Sequence, residues 1–192
     1  MSFVMLILAS ASPRRQELLR NAGIAFRVQA SDIAESPLAD ETPRDCAIRL
    51  AREKAVAVGQ MYPNDVVLGA DTIVIVDDAM LAKPVDQADA ARMLRLLSGR
   101  SHEVITGVCI VAATKGGKRE VRTASETTAV TMAKLSEREI ADYVATGEPM
   151  DKAGGYAIQG IASRWIPRIE GDYSNVVGLP IALVSKLLQE FM

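Results

Sequence analysis

Residues 3–9 form an apolar run, after which apolar positions pause over a polar turn and resume at Leu18 and Leu19. A short apolar run bounded by turn residues reads as a buried strand, so the chain is predicted to open with a strand over 3–9 and a helix over 13–22. Ser12 suits the N-cap, Pro13 the first helical position, and Gly23 the stop. A second strand over 25–29 leads into a polar loop, 30–41, and Thr42-Pro43 starts a helix reaching about residue 60. Residues 66–76 are nearly all apolar, interrupted by Gly69, Asp71 and Thr72, as in a central strand with a polar insertion. Asp77-Asp78 turns this strand back through 80–82, Lys83-Pro84 leaves extended, and Asp86 caps a helix ending near Gly99. Residues 104–113 and 121–133 read as a long antiparallel pair joined through Lys115-Gly116-Gly117. Ser136 with Glu139 makes a capping box for a helix that ends before Gly147. A glycine-rich loop, 147–160, a short strand over 165–169 and a helix over 180–191 complete the chain. Strands alternating with helices, plus a central hairpin, predict an α/β fold with a mixed sheet flanked by helices.

With 192 residues and no repeat, low-complexity tract or linker, the chain is predicted to form one domain, 1–192. Hydrophobic residues make up 49% but aromatics only 4%, so the core is aliphatic. A net charge of −2 offers no global attraction to nucleic acid. Cys46 and Cys109 have no metal-ligand or redox spacing and read as free thiols of a reducing, cytoplasmic compartment. The first apolar run has no preceding Lys or Arg and is shorter than the roughly 7–15 residues of a secretory core, so it reads as a strand rather than a leader. No stretch approaches the roughly 20 apolar residues of a membrane span.

Four features are not explained by local structure. Arg14 and Arg15 fall in the first turn of the first helix, where the macrodipole disfavours cations by roughly 0.3–1 kcal/mol each. Beside Ser10 and Ser12 they suggest an anion held at the helix N-terminus, against the plainer reading of two solvated arginines. Lys54 falls on the apolar stripe of Ala47, Leu50, Ala51 and Val58, so it must either snorkel to solvent or find an anionic partner. Asp71, inside an apolar strand, must be paired, metal-bound, exposed at a strand end or spent on a local turn. The hairpin could return Lys83 near it. The segment Glu148–Gly160 mixes charges, glycines and a short apolar patch, as functional loops do and as tight connections also do. His102, the sole histidine, has no nucleophile motif attached and reads as an ordinary polar residue. With no Walker A loop, GxGxxG or zinc spacing, any phosphate handling falls to arginine, lysine and backbone groups.

Several blocks resemble the Maf family: Leu8-Ala9-Ser10-Ala11-Ser12-Pro13-Arg14-Arg15-Gln16-Glu17-Leu18-Leu19, Ala51-Arg52-Glu53-Lys54-Ala55, Gly69-Ala70-Asp71-Thr72, Lys83-Pro84 and Leu97-Ser98-Gly99. Gly147-Glu148-Pro149-Met150-Asp151-Lys152-Ala153-Gly154, Ile158-Gln159-Gly160 and Asn175-Val176-Val177-Gly178-Leu179-Pro180 continue the match over nearly the whole chain. Each block is modest alone; their order makes the resemblance specific. It implies an ITPase-like twisted mixed sheet with two lobes around a nucleotide cleft, a homodimer, and hydrolysis of nucleoside triphosphates to monophosphate and pyrophosphate with Mg²⁺ or Mn²⁺. It further implies Asp71 as general base and metal ligand, Lys54 and Lys83 as catalytic cations, and Ser10, Arg14, Arg15 and Glu35 around the phosphates. Members cleaving dTTP and UTP are similar to this chain at Arg14, Thr72 and Gln159, which implies pyrimidine recognition by Thr72 and Gln159. Where relatives often carry Ala-Tyr-Gly, this chain has Gly155-Tyr156-Ala157, a change expected to adjust the loop rather than the chemistry. The family's name points to septum formation, so a regulatory protein acting through partners competes with the enzyme reading. A purine-type house-cleaning enzyme on the same scaffold is a third reading.

Overall fold

The computed structural model describes residues 5–113 and 119–191. Its strands are β1 (Leu6–Leu8), β2 (Phe26–Val28), β3 (Val66–Val76), β4 (Ala79–Leu81), β5 (Ser101–Ala113), β6 (Arg119–Thr131) and β7 (Arg168–Glu170). Its helices are α1 (Pro13–Asn21), α2 (Pro43–Met61), α3 (Gln87–Leu97), α4 (Glu137–Ala145), α5 (Tyr173–Val177) and α6 (Ile181–Leu188). The strands form one mixed sheet in the order β2-β1-β3-β5-β6-β7, with β4 hairpinned onto β3. β1 runs parallel to β2 and β3, whereas β4 on β3 and β7 on β6 are antiparallel.

By internal contacts the chain divides into two units, one of residues 1–71, 106–126 and 178–192, the other of 72–105 and 127–177. In the first, strand alternation sorts side chains into two cores. Leu6, Leu8, Leu68, Ala70, Val108 and Ile110 pack with Leu19 of α1 and Val184 and Leu187 of α6. Ile7, Ala9, Val67, Cys109 and Val111 pack instead on Ala51, Ala55 and Val58 of α2. The second unit has a single larger core in which Val74, Val104 and Val130 of the sheet meet Leu94 of α3, Ile140 and Tyr143 of α4, and Trp165.

The start signals act as read. Ser12, Thr42 and Asp86 accept from the backbone N–H three residues on, and Ser136 and Glu139 form the reciprocal capping box. Gly23 adopts φ +69°, the left-handed conformation that ends α1 without a Cβ penalty. Several boundaries differ. β1 is confined to Leu6–Leu8, and β5 starts three residues early because Ser101 and Thr131 join their hydroxyls across the sheet. The last strand begins at Arg168 rather than residue 165, because Ile161–Trp165 coils into a 3₁₀ turn that buries Trp165. The segment 148–155, read as a loop, folds as two further 3₁₀ turns, and α5 went unforeseen. Residues 3 and 4 and the turn at 115–117 lie outside the described residues. Among the described residues no helix is long and apolar enough to cross a membrane.

Candidate active site

Two glycines bring α2 down onto the sheet. A Cβ on Gly69 of β3 would run into the backbone oxygen of Ala51 and the backbone nitrogen of Ala55, and one on Gly107 of β5 would strike the backbone of Ala47. Only glycine permits so close an approach of helix to strand. One turn along α2 from Leu50, Lys54 then reaches Asp71, which continues the Val67–Gly69 face of β3.

The result is a buried ionic cluster. Lys54 is 5% exposed and does not snorkel; its Nζ lies 2.6 Å from Asp71 Oδ1 and 2.6 Å from Glu35 Oε1. Asp71 is 8% exposed, while Glu35 reaches in from the 30–41 loop with its side chain about half exposed (46%). An isolated buried ammonium would carry a desolvation penalty of several kcal/mol. Two carboxylates on one ammonium offset that penalty, and their charges also act on Arg15.

At the turn from β1 to α1, Arg15 Nη1 donates to Ser10 Oγ at 3.0 Å and its Nε to the Gly178 carbonyl at 2.8 Å. The backbone N–H of Ser12 also donates to Ser10 Oγ, so this hydroxyl ties the turn together. Burial lowers the pKa of the Arg15 guanidinium below its ordinary value, the charges of Asp71 and Glu35 raise it, and Arg14 lowers it. Arg14, Arg15, Glu35, Lys54 and Asp71 are thus electrostatically linked within the first unit, with the Ser10 hydroxyl joined to them through Arg15. Thr72, half-buried as the next residue of β3, and the exposed Lys83 and Gln159 belong to the second unit.

Among the described residues no group of three or more His, Cys, Asp and Glu side chains gathers to hold a metal. The pair Glu35 and Asp71, already converging on one cation, nevertheless suits a hard divalent ion that takes one or two carboxylates and completes its shell with phosphate oxygens and water.

His102 is no surface residue. It is 3% exposed, its Nε2 sits 2.7 Å from the Tyr156 hydroxyl, and burial lowers its pKa to about 4, so the ring is neutral. Cys46 and Cys109 are free and buried, and desolvation raises their pKa values to about 11 and about 12. Sequence reasoning missed Arg15's grip on Gly178 and the hydrogen bonds that join Glu148 to the Tyr143 hydroxyl and the Ile161 N–H. The placing of Gly178 in the 175–180 block was the available signal for the first, and the acid directly after Gly147 for the second.

A family model described as Maf-like protein matches residues 5–191. The chain is 59% identical to the dTTP/UTP pyrophosphatase of Koribacter versatilis (strain Ellin345) over 96% of this chain and 93% of that protein. It is 52% identical to the dTTP/UTP pyrophosphatase of Geobacter sulfurreducens, over 93% of this chain and 92% of that protein. Among solved structures it is similar to the Staphylococcus aureus Ham1 protein, 12% identical, covering 98% of this chain and 100% of that one with a TM-score of 0.48.

Proposed function

Because the chain belongs to the Maf family, we infer that it is a dTTP/UTP pyrophosphatase, hydrolysing these nucleotides to monophosphate and pyrophosphate. The observation that carries the mechanism is the buried Lys54–Asp71–Glu35 cluster, electrostatically joined to Arg15 at the start of α1. Charge is hidden there at a cost that packing alone does not require.

Phosphoryl transfer asks a protein mainly for positioning and charge stabilisation. Asp71 orients the attacking water and accepts its proton. Water attacks the α phosphorus, the bond from that phosphorus to the α–β bridging oxygen breaks, and pyrophosphate leaves as one unit. Lys54, Lys83 and Arg14 neutralise phosphate oxygens. Arg15, already committed to Ser10 and Gly178, shapes the β1–α1 turn so that Ser10 and the first N–H groups of α1 are presented to the same anion. Glu35 and Asp71 would hold Mg²⁺ or Mn²⁺, which when bound neutralises phosphate charge and makes water more acidic. Thr72 and Gln159 read the pyrimidine, since an amide can accept from N3–H while donating to a ring carbonyl. Modified pyrimidine triphosphates are further substrates of the same edge chemistry, which makes the activity a house-cleaning one.

The test is a nucleotide panel run in ¹⁸O-labelled water with Mg²⁺ or Mn²⁺. dTTP and UTP are expected to give dTMP and UMP carrying the label, unlabelled pyrophosphate, and no diphosphate intermediate. Orthophosphate with dTDP, or a preference for GTP-type substrates, would overturn the assignment.

A further inference from the structure

We propose that Tyr143 and Glu148 are positioning residues for base recognition, clamping the turn that carries Gln159. The proposal rests on the reading that Gln159 meets the base. Its own evidence is the hydrogen bonding of residues 157–161. The Gly160 N–H donates to the Ala157 carbonyl at 3.1 Å, closing a turn in which Gln159 is the exposed third residue. Both flanks of this turn are tied to the same pair of side chains. The Ala157 N–H donates to the Tyr143 hydroxyl at 3.3 Å, and that hydroxyl donates to Glu148 Oε1 at 2.9 Å. The Ile161 N–H donates to Glu148 Oε1 at 3.1 Å and to Oε2 at 3.3 Å. Gly160 lies against this carboxylate so closely that a Cβ would collide with it.

The anchor beneath the clamp is rigid. Tyr143 is 1% exposed, and its ring meets Trp165 edge-to-face with centroids 5.4 Å apart. α4 therefore delivers a fixed hydroxyl, and Glu148, in the 3₁₀ turn that follows α4, delivers a fixed carboxylate. An exposed glutamine gains no stability from standing on so constrained a backbone. A recognition amide does gain, because the ordering entropy of its platform is already met before the ligand arrives. In this arrangement the clamp sets where Gln159 presents its amide without touching the nucleotide or the reacting atoms.

Tyr143→Phe keeps the buried ring and removes the shared hydroxyl; Glu148→Ala removes the carboxylate; Glu148→Gln keeps an acceptor oxygen for Ile161. Losing one such buried bond should raise the KM for dTTP and UTP about tenfold in Tyr143→Phe and Glu148→Ala, with kcat within about threefold and Glu148→Gln near wild type. Inhibition by UMP, which carries the base, should weaken by the same factor, while inhibition by pyrophosphate, which lacks one, stays unchanged. The preference for UTP over GTP should narrow in parallel. A Tyr143→Phe enzyme with unaltered KM and preference overturns the proposal, as does a loss of pyrophosphate inhibition in step with UMP. Tyr143→Phe decides the question where Glu148→Ala fails to fold. Amide exchange separates the clamp from the activity: Ala157 and Ile161 should exchange about tenfold faster in Tyr143→Phe whether or not substrate is turned over. Unchanged exchange removes the clamp itself, whereas a wild-type protein inert towards dTTP and UTP removes only the proposed activity and, with it, the ligand the clamp would serve.

Discussion

The two units hide different kinds of polar group. The first buries charge: Lys54 with Asp71 and Glu35, and Arg15 held on Ser10 and Gly178. The second buries neutral donors and acceptors: His102 on Tyr156, Tyr143 on the backbone of Ala157, and Asn175 Nδ2 donating to the Val104 carbonyl and Thr128 Oγ1. Neutral bonds of this sort each contribute about 0.5–1.5 kcal/mol and fix shape. Buried ion pairs are poor contributors to stability, and a similar volume of apolar side chains would often serve folding as well. The first unit thus keeps an arrangement that folding alone does not reward, and the second an arrangement that folding alone explains except where it ends in an exposed glutamine.

That contrast can be broken most directly at Asp71. Asp71→Asn keeps the shape and an oxygen for Lys54 but removes the charge and the proposed proton acceptor. Turnover of dTTP should fall about 10²–10⁴-fold, the range for a general base, with nucleotide affinity changed only a few-fold. Equilibrium binding of a non-hydrolysable analogue beside steady-state rates checks this. A mutant that binds weakly and is unfolded would make Asp71 a structural residue.

The two lysines proposed to act in catalysis sharpen the comparison, since Lys54 is buried and Lys83 exposed. Lys54→Met and Lys83→Met should each lose about 10²–10³ in kcat, the scale of one aimed charge-stabilising group. Only Lys54→Met should also unfold more easily, by up to about 3–5 kcal/mol, because it leaves Asp71 buried without its cation. Adding Asp71→Asn to Lys54→Met should restore much of that stability and none of the activity. Urea titrations of the three variants decide it; equal stability losses at Lys54 and Lys83 would erase the distinction between the units.

Much of this arrangement was legible in the sequence because it is local. The caps at Ser12, Thr42, Asp86 and Ser136 and the near-continuous apolar runs of β1 and β3 each depend on a few neighbouring residues. Lys54 on an apolar stripe and Asp71 in an apolar strand were visible as two anomalies. That they are one pair was not, because their meeting depends on Gly69 and Gly107 letting α2 settle on the sheet. The same limit hid Glu148: its partners, the Tyr143 hydroxyl and the Ile161 N–H, come together only through the successive 3₁₀ turns of 148–165, which no periodicity announces. The burial of His102 was equally invisible, because alternation in β5 aims it inward at Tyr156, a partner 54 residues away.

The smallest expected effect separates the units by pH. In the second unit, burial lowers the His102 pKa to about 4, against about 6.5 in an unfolded chain. Between those values the unfolded chain binds a proton that the folded chain refuses, so stability falls as pH drops through this window, by about 3 kcal/mol over its full width. In the first unit the hydrogen bond from Arg49 lowers the Glu41 pKa to about 2 from an ordinary 4.5. The sign of that contribution places it lower: it is present above about pH 4.5 and is lost as pH falls towards 2. Urea midpoints measured from pH 7 to pH 3 should therefore decline in two stages. His102→Phe should flatten the stage between pH 6.5 and 4, whatever it does to stability at neutrality, and Arg49→Met should flatten the stage below 4.5. A His102→Phe protein whose midpoint still declines with the wild-type slope above pH 4.5 would show that the upper stage belongs to carboxylates, and the neutral character assigned to the second unit's core would fall with it.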